Sequence, residues 1–191
     1  GIISGVGDGV KKSRIGEKVM IQPLKFCGEC VSCKKGKENF CKSMGIMGEN
    51  CQGVNAERIT VKESQAIPFP DQLSFEAAAS FALVAQTSFQ MLVSRANLQA
   101  GEFVLIWGAS SGVGSMGIQI AKAMGATVIA IAGTNEKCEK AGLLGADHIL
   151  NYKTDDILGE VKSLTNGKGI DVVFEHVGQE TWNISMKSLA R

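Results

Sequence analysis

A long apolar run, an excess of charge of one sign and a repeated segment are all missing from this chain, and each absence narrows what it can be. No stretch approaches the length needed to cross a bilayer, and the start, Gly1-Ile2-Ile3-Ser4-Gly5, carries no signal-peptide pattern. Twenty Lys and Arg stand against 19 Asp and Glu, a formal charge of +1, so the balance calls for neither nucleic acid nor a membrane as partner. No internal repeat or low-complexity tract is present, which argues against a solenoid or a linker. Histidine is scarce: His148 and His176 stand alone and far apart, poor material for a histidine metal site. What remains is 191 residues, 45% hydrophobic, which fits a soluble, cytoplasmic, globular protein of one or two domains acting on a small molecule. The first residue is not Met, so the start is expected to be processed or cut.

The most informative stretch runs from Phe103 to Gly133. Phe103-Val104-Leu105-Ile106-Trp107 is an apolar run suited to a strand buried on both faces. Gly108 to Gly117 follows, then Ile118 to Met124 with apolar residues at helical spacing, a stop at Gly125, and a second buried strand, Thr127 to Ala132. This reads as a β-α-β unit with G-x-G-x-x-G at its first turn. Gly112 is expected to turn the chain sharply off the strand, Gly114 to let backbone approach a pyrophosphate, and Gly117 to let the helix lie close on the sheet. Ser111, Gly112, Val113 and Gly114 then supply free N–H groups and the positive end of a helix dipole to the phosphates. The alternative is a tight turn that holds no ligand.

Six cysteines are many for a cytosolic enzyme, and four crowd into fifteen residues: Cys27, Cys30, Cys33 and, after seven intervening residues, Cys41. Thiolates three apart in a loop can converge on one tetrahedral metal, and a fourth from further along closes the shell. Four sulfurs leave Zn²⁺ no open position, so the site would be structural. Disulfides and reduced thiols without metal are the other readings. Cys51 and Cys138 read as free thiols.

Elsewhere, Lys18 to Pro23 reads as a strand. A strand pattern returns in Arg58-Ile59-Thr60-Val61 and Ala66-Ile67, ahead of Pro68 and Pro70. Ser74 caps a helical region that runs to about Val93. After the β-α-β unit come a helix over Asn135 to Leu144, a strand over His148 to Tyr152, a helix capped by Thr154, a fourth strand over Ile170 to Phe174 and a helix over Thr181 to Ala190. The strand order is expected to be 3-2-1-4, half of a doubly wound sheet, with Val177 and Gly178 at its carboxyl edge beside a cofactor. The ribose position, at the end of the second strand, holds Ala132 then Gly133-Thr134 and no carboxylate to repel a 2′-phosphate. Lys137 can pair with that phosphate and Thr134 can donate to it, which favours NADP(H) over NAD(H). Thr134 as a helix cap and Lys137 as a plain surface residue form the alternative.

The cysteine spacing ahead of Gly112-Val113-Gly114, with Leu98-Gln99-Ala100-Gly101-Glu102 before the first strand and Asp171-Val172-Val173-Phe174-Glu175-His176-Val177-Gly178 after it, resembles the medium-chain dehydrogenase/reductase superfamily. That group includes zinc-type alcohol dehydrogenases and quinone oxidoreductases. The resemblance implies an α/β chain. Part of a mostly β, GroES-like catalytic domain spans 1–72, with a structural zinc lobe at 25–43. Bridging helices span 73–98, and part of a Rossmann dinucleotide-binding domain spans 99–191. It implies hydride transfer between NAD(P)H and carbonyls, quinones or activated alkenes, one structural Zn²⁺, and a homo-oligomer for the full-length protein. The family's first strands and its Gly-His-Glu segment are not seen before Gly1, nor its last strands after Arg191, so the chain is expected to be the middle of a longer protein.

The run Gly133-Thr134-x-x-Lys137 with Asn151-Tyr152 resembles NADPH-dependent quinone oxidoreductases, in which the lysine and tyrosine contact the phosphate. Thr87, by resemblance, lines the nicotinamide face; a hydroxyl bonded back to its own helix is the alternative. The family's third catalytic zinc ligand, four residues earlier, falls on Leu83, which cannot bind metal. Three functions therefore compete: an NADPH-dependent reductase with structural zinc, a zinc-dependent alcohol dehydrogenase with catalytic ligands in the missing front part, and a dinucleotide-binding sensor or structural protein without turnover.

Overall fold

Four parallel strands organise the second half of the chain in the computed structural model, which describes residues 1–191. They are β5 (Phe103–Ile106), β6 (Thr127–Ala132), β7 (His148–Asn151) and β8 (Val172–Phe174), following four short strands in the first half. Their spatial order is β7-β6-β5-β8, the expected 3-2-1-4 arrangement. The register sets Phe103 beside Thr127 and Val104 beside Val172. Side chains alternate across a strand, so an unbroken apolar run feeds both faces. On one face Val104, Ile106, Val128, Ala130 and Phe174 pack against Ile118 and Ala121 of helix α3 (Gly112–Ala123) and Ala141 of α4 (Asn135–Leu143). On the other, Leu105, Trp107, Ile129 and Ile131 pack against Ile157 and Val161 of α5 (Ile157–Leu164), with Ile184 of α6 (Gln179–Ser188) beside them. Helices on both faces make this part of a doubly wound, Rossmann-type α/β sheet.

The chain folds as two units, Gly1–Leu83 and Val84–Arg191. The boundary falls inside the helix α2 (Phe75–Phe89). In the second unit that helix runs on as a π-helical turn, Gln90–Arg95, whose Leu92 is fully buried. The stretch Phe75–Arg95 has the length and apolar composition to cross a bilayer, so an apolar run of that length does occur. Ser88 and Leu92 of this stretch lie buried in the second unit, while Phe75, Phe81, Leu83 and Phe89 are exposed.

In the first unit the ladders are short. Strand β1 (Val19–Ile21) pairs antiparallel with β4 (Ala66–Pro68), and β2 (Leu24–Lys25) with β3 (Gly45–Ile46). Buried Gln65 knits them: its Nε2 donates to the Gln22 carbonyl at 3.1 Å and the Leu24 carbonyl at 3.2 Å. Residues 58–61, expected as a strand, find no ladder partner and stay irregular; three of the four are exposed. A β-branched pattern alone does not make a strand without a neighbour to pair with.

Two further expectations are corrected. Thr154 does not cap α5; Asp156 holds the N-cap position and Thr154 instead bonds Asp155 at 2.7 Å. The last helix starts two residues earlier than expected, because the Glu175 carboxylate collects the Val177 and Gly178 amides and ends the strand there.

Candidate nucleotide-binding turn and metal centre

At the end of β5 the sharp turn belongs to Gly108, at φ +58°, rather than to Gly112, which is already the first residue of α3. Only a residue without Cβ takes that left-handed conformation at no cost. Gly114 has a different constraint from the one expected: a Cβ there would overlap the Gly108 carbonyl oxygen. Its bareness serves the chain's own turn first. Gly117 behaves as read, since a Cβ would sit 3.3 Å from the Phe174 ring on the sheet beneath.

The turn leaves donors open. Ser111 caps α3, its Oγ accepting from the Gly114 amide at 2.9 Å, and the Ser115 amide returns to the Ser111 carbonyl at 2.8 Å. The Gly112 and Val113 amides have no partner within the chain. Two bare N–H groups at the first turn of a twelve-residue helix fit the diphosphate of a dinucleotide. Ser111 is thus a positioning group: its oxygen accepts from the Gly114 amide, while its hydroxyl proton stays available.

Sequence reasoning missed what surrounds this turn. Buried Ser88 donates to the Val113 carbonyl at 2.9 Å, and Val84 packs where a Gly112 Cβ would fall. From the end of β8, His176 places Nε2 3.3 Å from Ser111 Oγ. The Glu175-His176 pair in the sequence was the available signal, but which strand neighbours the turn is a matter of topology.

At the end of β6, Tyr152 lies over Gly133: a Cβ there would come within 2.6 Å of its phenol oxygen. Thr134 caps α4, its Oγ1 accepting from the Lys137 amide at 3.3 Å, so the capping role holds, while its hydroxyl proton stays available. Glu136 forms its ion pair with Lys140, at 2.7 Å, rather than with Lys137. Val177 and Gly178 do reach the carboxyl edge, but both amides are spent on Glu175, with the Thr181 and Ser185 hydroxyls on its other oxygen. Burial pushes the Glu175 carboxyl up, and these four donors outweigh it, holding it below the usual range. Thr87 is half-buried on α2, one turn beyond exposed Leu83.

The four cysteines converge. Cys27, Cys30, Cys33 and Cys41 bring their sulfurs within 4.8 Å of one another, in the loop that β2 and β3 close at its base. Sγ separations are 3.5 Å for Cys30–Cys33, 3.6 Å for Cys27–Cys41 and 3.9 Å for Cys27–Cys33. Four Zn–S bonds of about 2.3 Å set tetrahedral sulfurs about 3.8 Å apart, so the donor set fits zinc. The Glu29 and Cys30 amides and the Cys41 thiol pull Cys27 down to about 6, giving a first thiolate to start the shell. Burial pushes Cys33 up to about 12, a penalty that a cation would remove. Cys51 and Cys138 are free thiols apart from this cluster; burial raises the Cys138 thiol.

Comparison with known proteins agrees with both halves. The alcohol dehydrogenase GroES-like domain matches residues 1–71 and the zinc-binding dehydrogenase family matches residues 112–191. The sorbitol dehydrogenase of Bacillus subtilis is 33% identical over 181 residues, 93% of this chain and 50% of that protein. The quinone oxidoreductase of Salmonella typhimurium is 30% identical over 191 residues, all of this chain and 50% of that protein. A crystal structure of an NAD-dependent alcohol dehydrogenase superposes with TM-score 0.95 at 40% identity, covering all of this chain and 55% of that one. The chain thus spans about half the length of the relatives it matches.

Proposed function

This chain belongs to the medium-chain dehydrogenase/reductase superfamily, and we propose that the protein is an oxidoreductase moving a hydride between NADP(H) and a carbonyl, quinone or activated alkene, with a structural zinc. The observation that carries the reading is the pair of unpartnered amides, Gly112 and Val113, at the head of α3. Residues 1–72 serve as part of the catalytic domain, 73–98 as the bridge and 99–191 as part of the dinucleotide-binding domain.

The bound nicotinamide supplies the hydride chemistry. The protein's own groups bind and orient: Gly112 and Val113 hold the diphosphate, with Ser111 and Gly114 shaping the turn. Tyr152, laid over Gly133, and Lys137 take the 2′-phosphate, with the Thr134 hydroxyl proton between them. Thr87 lines the nicotinamide side, and Val177 and Gly178 lie beside the cofactor, Val177 offering its carbonyl and side chain rather than its amide. Cys27, Cys30, Cys33 and Cys41 hold Zn²⁺ with no open position, so it braces the lobe and stands outside the reaction. Support for NADP(H) lies in the missing carboxylate after β6, the phenol laid over Gly133 and Lys137 left without an ion pair. Six cysteines outside any disulfide suit a cytoplasmic protein, and we expect a homo-oligomer acting on a small molecule.

A second reading, a zinc-dependent alcohol dehydrogenase using NAD(H), draws support from the relatives named as NAD-dependent alcohol dehydrogenases. Leu83 at the third ligand position speaks against it. The full-length protein is to be assayed for NADPH and NADH oxidation against a quinone, an enone and an aldehyde, with its zinc counted. Oxidation of NADPH in preference to NADH, with one zinc per chain, is expected. Turnover confined to alcohols with NAD and two zinc ions would overturn the reading in favour of the second, and nucleotide binding without any oxidation would make the protein a sensor.

A further inference from the structure

We infer that His176 is a further binding residue of the nucleotide turn, its imidazolium pairing with the ligand's diphosphate so that affinity rises as pH falls. The inference rests on the dinucleotide-binding role proposed for the head of α3 and names one more of its contacts, together with its regulation.

Three observations place the ring there. Nε2 lies 3.3 Å from Ser111 Oγ, the cap oxygen directly before the two open amides. A Cβ on Gly108 would come within 3.0 Å of Nε2, so the residue that turns the chain also makes room for the imidazole. The ring stands edge-on to Phe174 at 5.6 Å and 69°, which fixes its tilt. The bond to Ser111 survives either charge state. A neutral imidazole accepts from the serine hydroxyl, and a charged one donates to its oxygen.

The surrounding charges leave the ring free to serve an anion. The turn from Gly108 to Gly117 contains no charged residue. Glu175, next in sequence, is held by the Val177 and Gly178 amides and the Thr181 and Ser185 hydroxyls. Glu180, in the first turn of α6, is exposed. His176 itself is exposed, and a diphosphate bound at α3 gains a cation beside the helix dipole when the ring is charged. Histidine is the side chain whose charge changes between pH 5 and 8, which turns the pairing into a pH response.

The test is calorimetric titration of the full-length protein with ADP-ribose, whose diphosphate keeps its charge across this range, from pH 5.5 to 8.5. The wild type is expected to bind about 3- to 10-fold tighter at the low end. His176→Gln, which keeps a hydrogen bond to Ser111, is expected to abolish that gain, and His176→Arg to bind tightly at every pH. Equal pH dependence in wild type and His176→Gln would overturn the inference and leave the nucleotide reading standing. No binding of ADP-ribose by the wild type at any pH would overturn both.

Discussion

The cysteine loop and the nucleotide turn are both short loops that gather backbone amides around a negative charge, yet they are held in opposite ways. Residues 25–43 have one four-residue helix and a two-residue ladder at their base, and buried Cys33 and Cys41 are much of their interior. The turn from Gly108 to Gly114 rests on a sheet buried on both faces, with fully buried Val104, Leu105, Ile106 and Ile118 around it. The first depends on an ion that few side chains can replace. The second depends on packing from residues far along the chain, such as Phe174. A loop can therefore be made rigid by local ligands or by remote burial, and each form fails in its own way.

The largest effect expected is metal removal. A chelator, or Cys33→Ser, should strip one zinc per chain and open residues 25–43 to protease, since such sites contribute on the order of 10 kcal/mol to folding. Residues 84–191 should keep their protection in hydrogen exchange. If they lose it together with the loop, the two loops are not held independently. Next is Gly114→Ala, whose methyl meets the Gly108 carbonyl. It should cost about 2–3 kcal/mol in chemical unfolding of the second unit and abolish dinucleotide binding, with the zinc count unchanged.

A smaller effect separates the cofactors. Lys137→Ala should weaken NADPH binding about tenfold and NADH binding less than about twofold, measured by equilibrium dialysis. Equal losses would make Lys137 an ordinary surface residue. The smallest concerns acid. Burial pushes the Asp147 carboxyl up, but Lys122 at 2.7 Å and the Val128 amide hold it below its usual value overall. A lowered folded pKa stabilises above the unfolded value of about 3.9, and the benefit disappears as pH falls through the folded value. Asp147→Asn should therefore melt a few degrees lower at pH 7 and converge with the wild type as pH falls through the folded carboxyl's lowered value.

Much of the second unit was legible in the chain because its signals are local. Thr127 to Ala132 was readable as a strand because the seven residues between Gly125 and Gly133, apolar but for Thr127, fit a doubly buried strand, and the order 3-2-1-4 follows from the β-α-β repeat. The cysteine cluster was legible for the same reason, with all its ligands inside fifteen residues. What escaped depends on distant neighbours. Arg58 to Val61 has a strand composition and no strand to pair with. The role given to Gly112 belonged to Gly108, because φ at each position is set by how the turn packs. Ser88, His176 and the carboxylate of Glu175 reach their places only when β8 and α2 settle beside β5, which no spacing along the chain displays.

Trp107 is buried at the end of β5, its indole N–H without a partner, while Trp182 on α6 is half exposed. Both lie in Val84–Arg191, as does the chain's single tyrosine, Tyr152. Intrinsic emission is therefore blind to the first 83 residues of this sequence. An unfolding curve followed by tryptophan light reports the sheet alone, and loss of the thiolate-bound ion would pass unseen unless a coloured metal such as cobalt stood in its place.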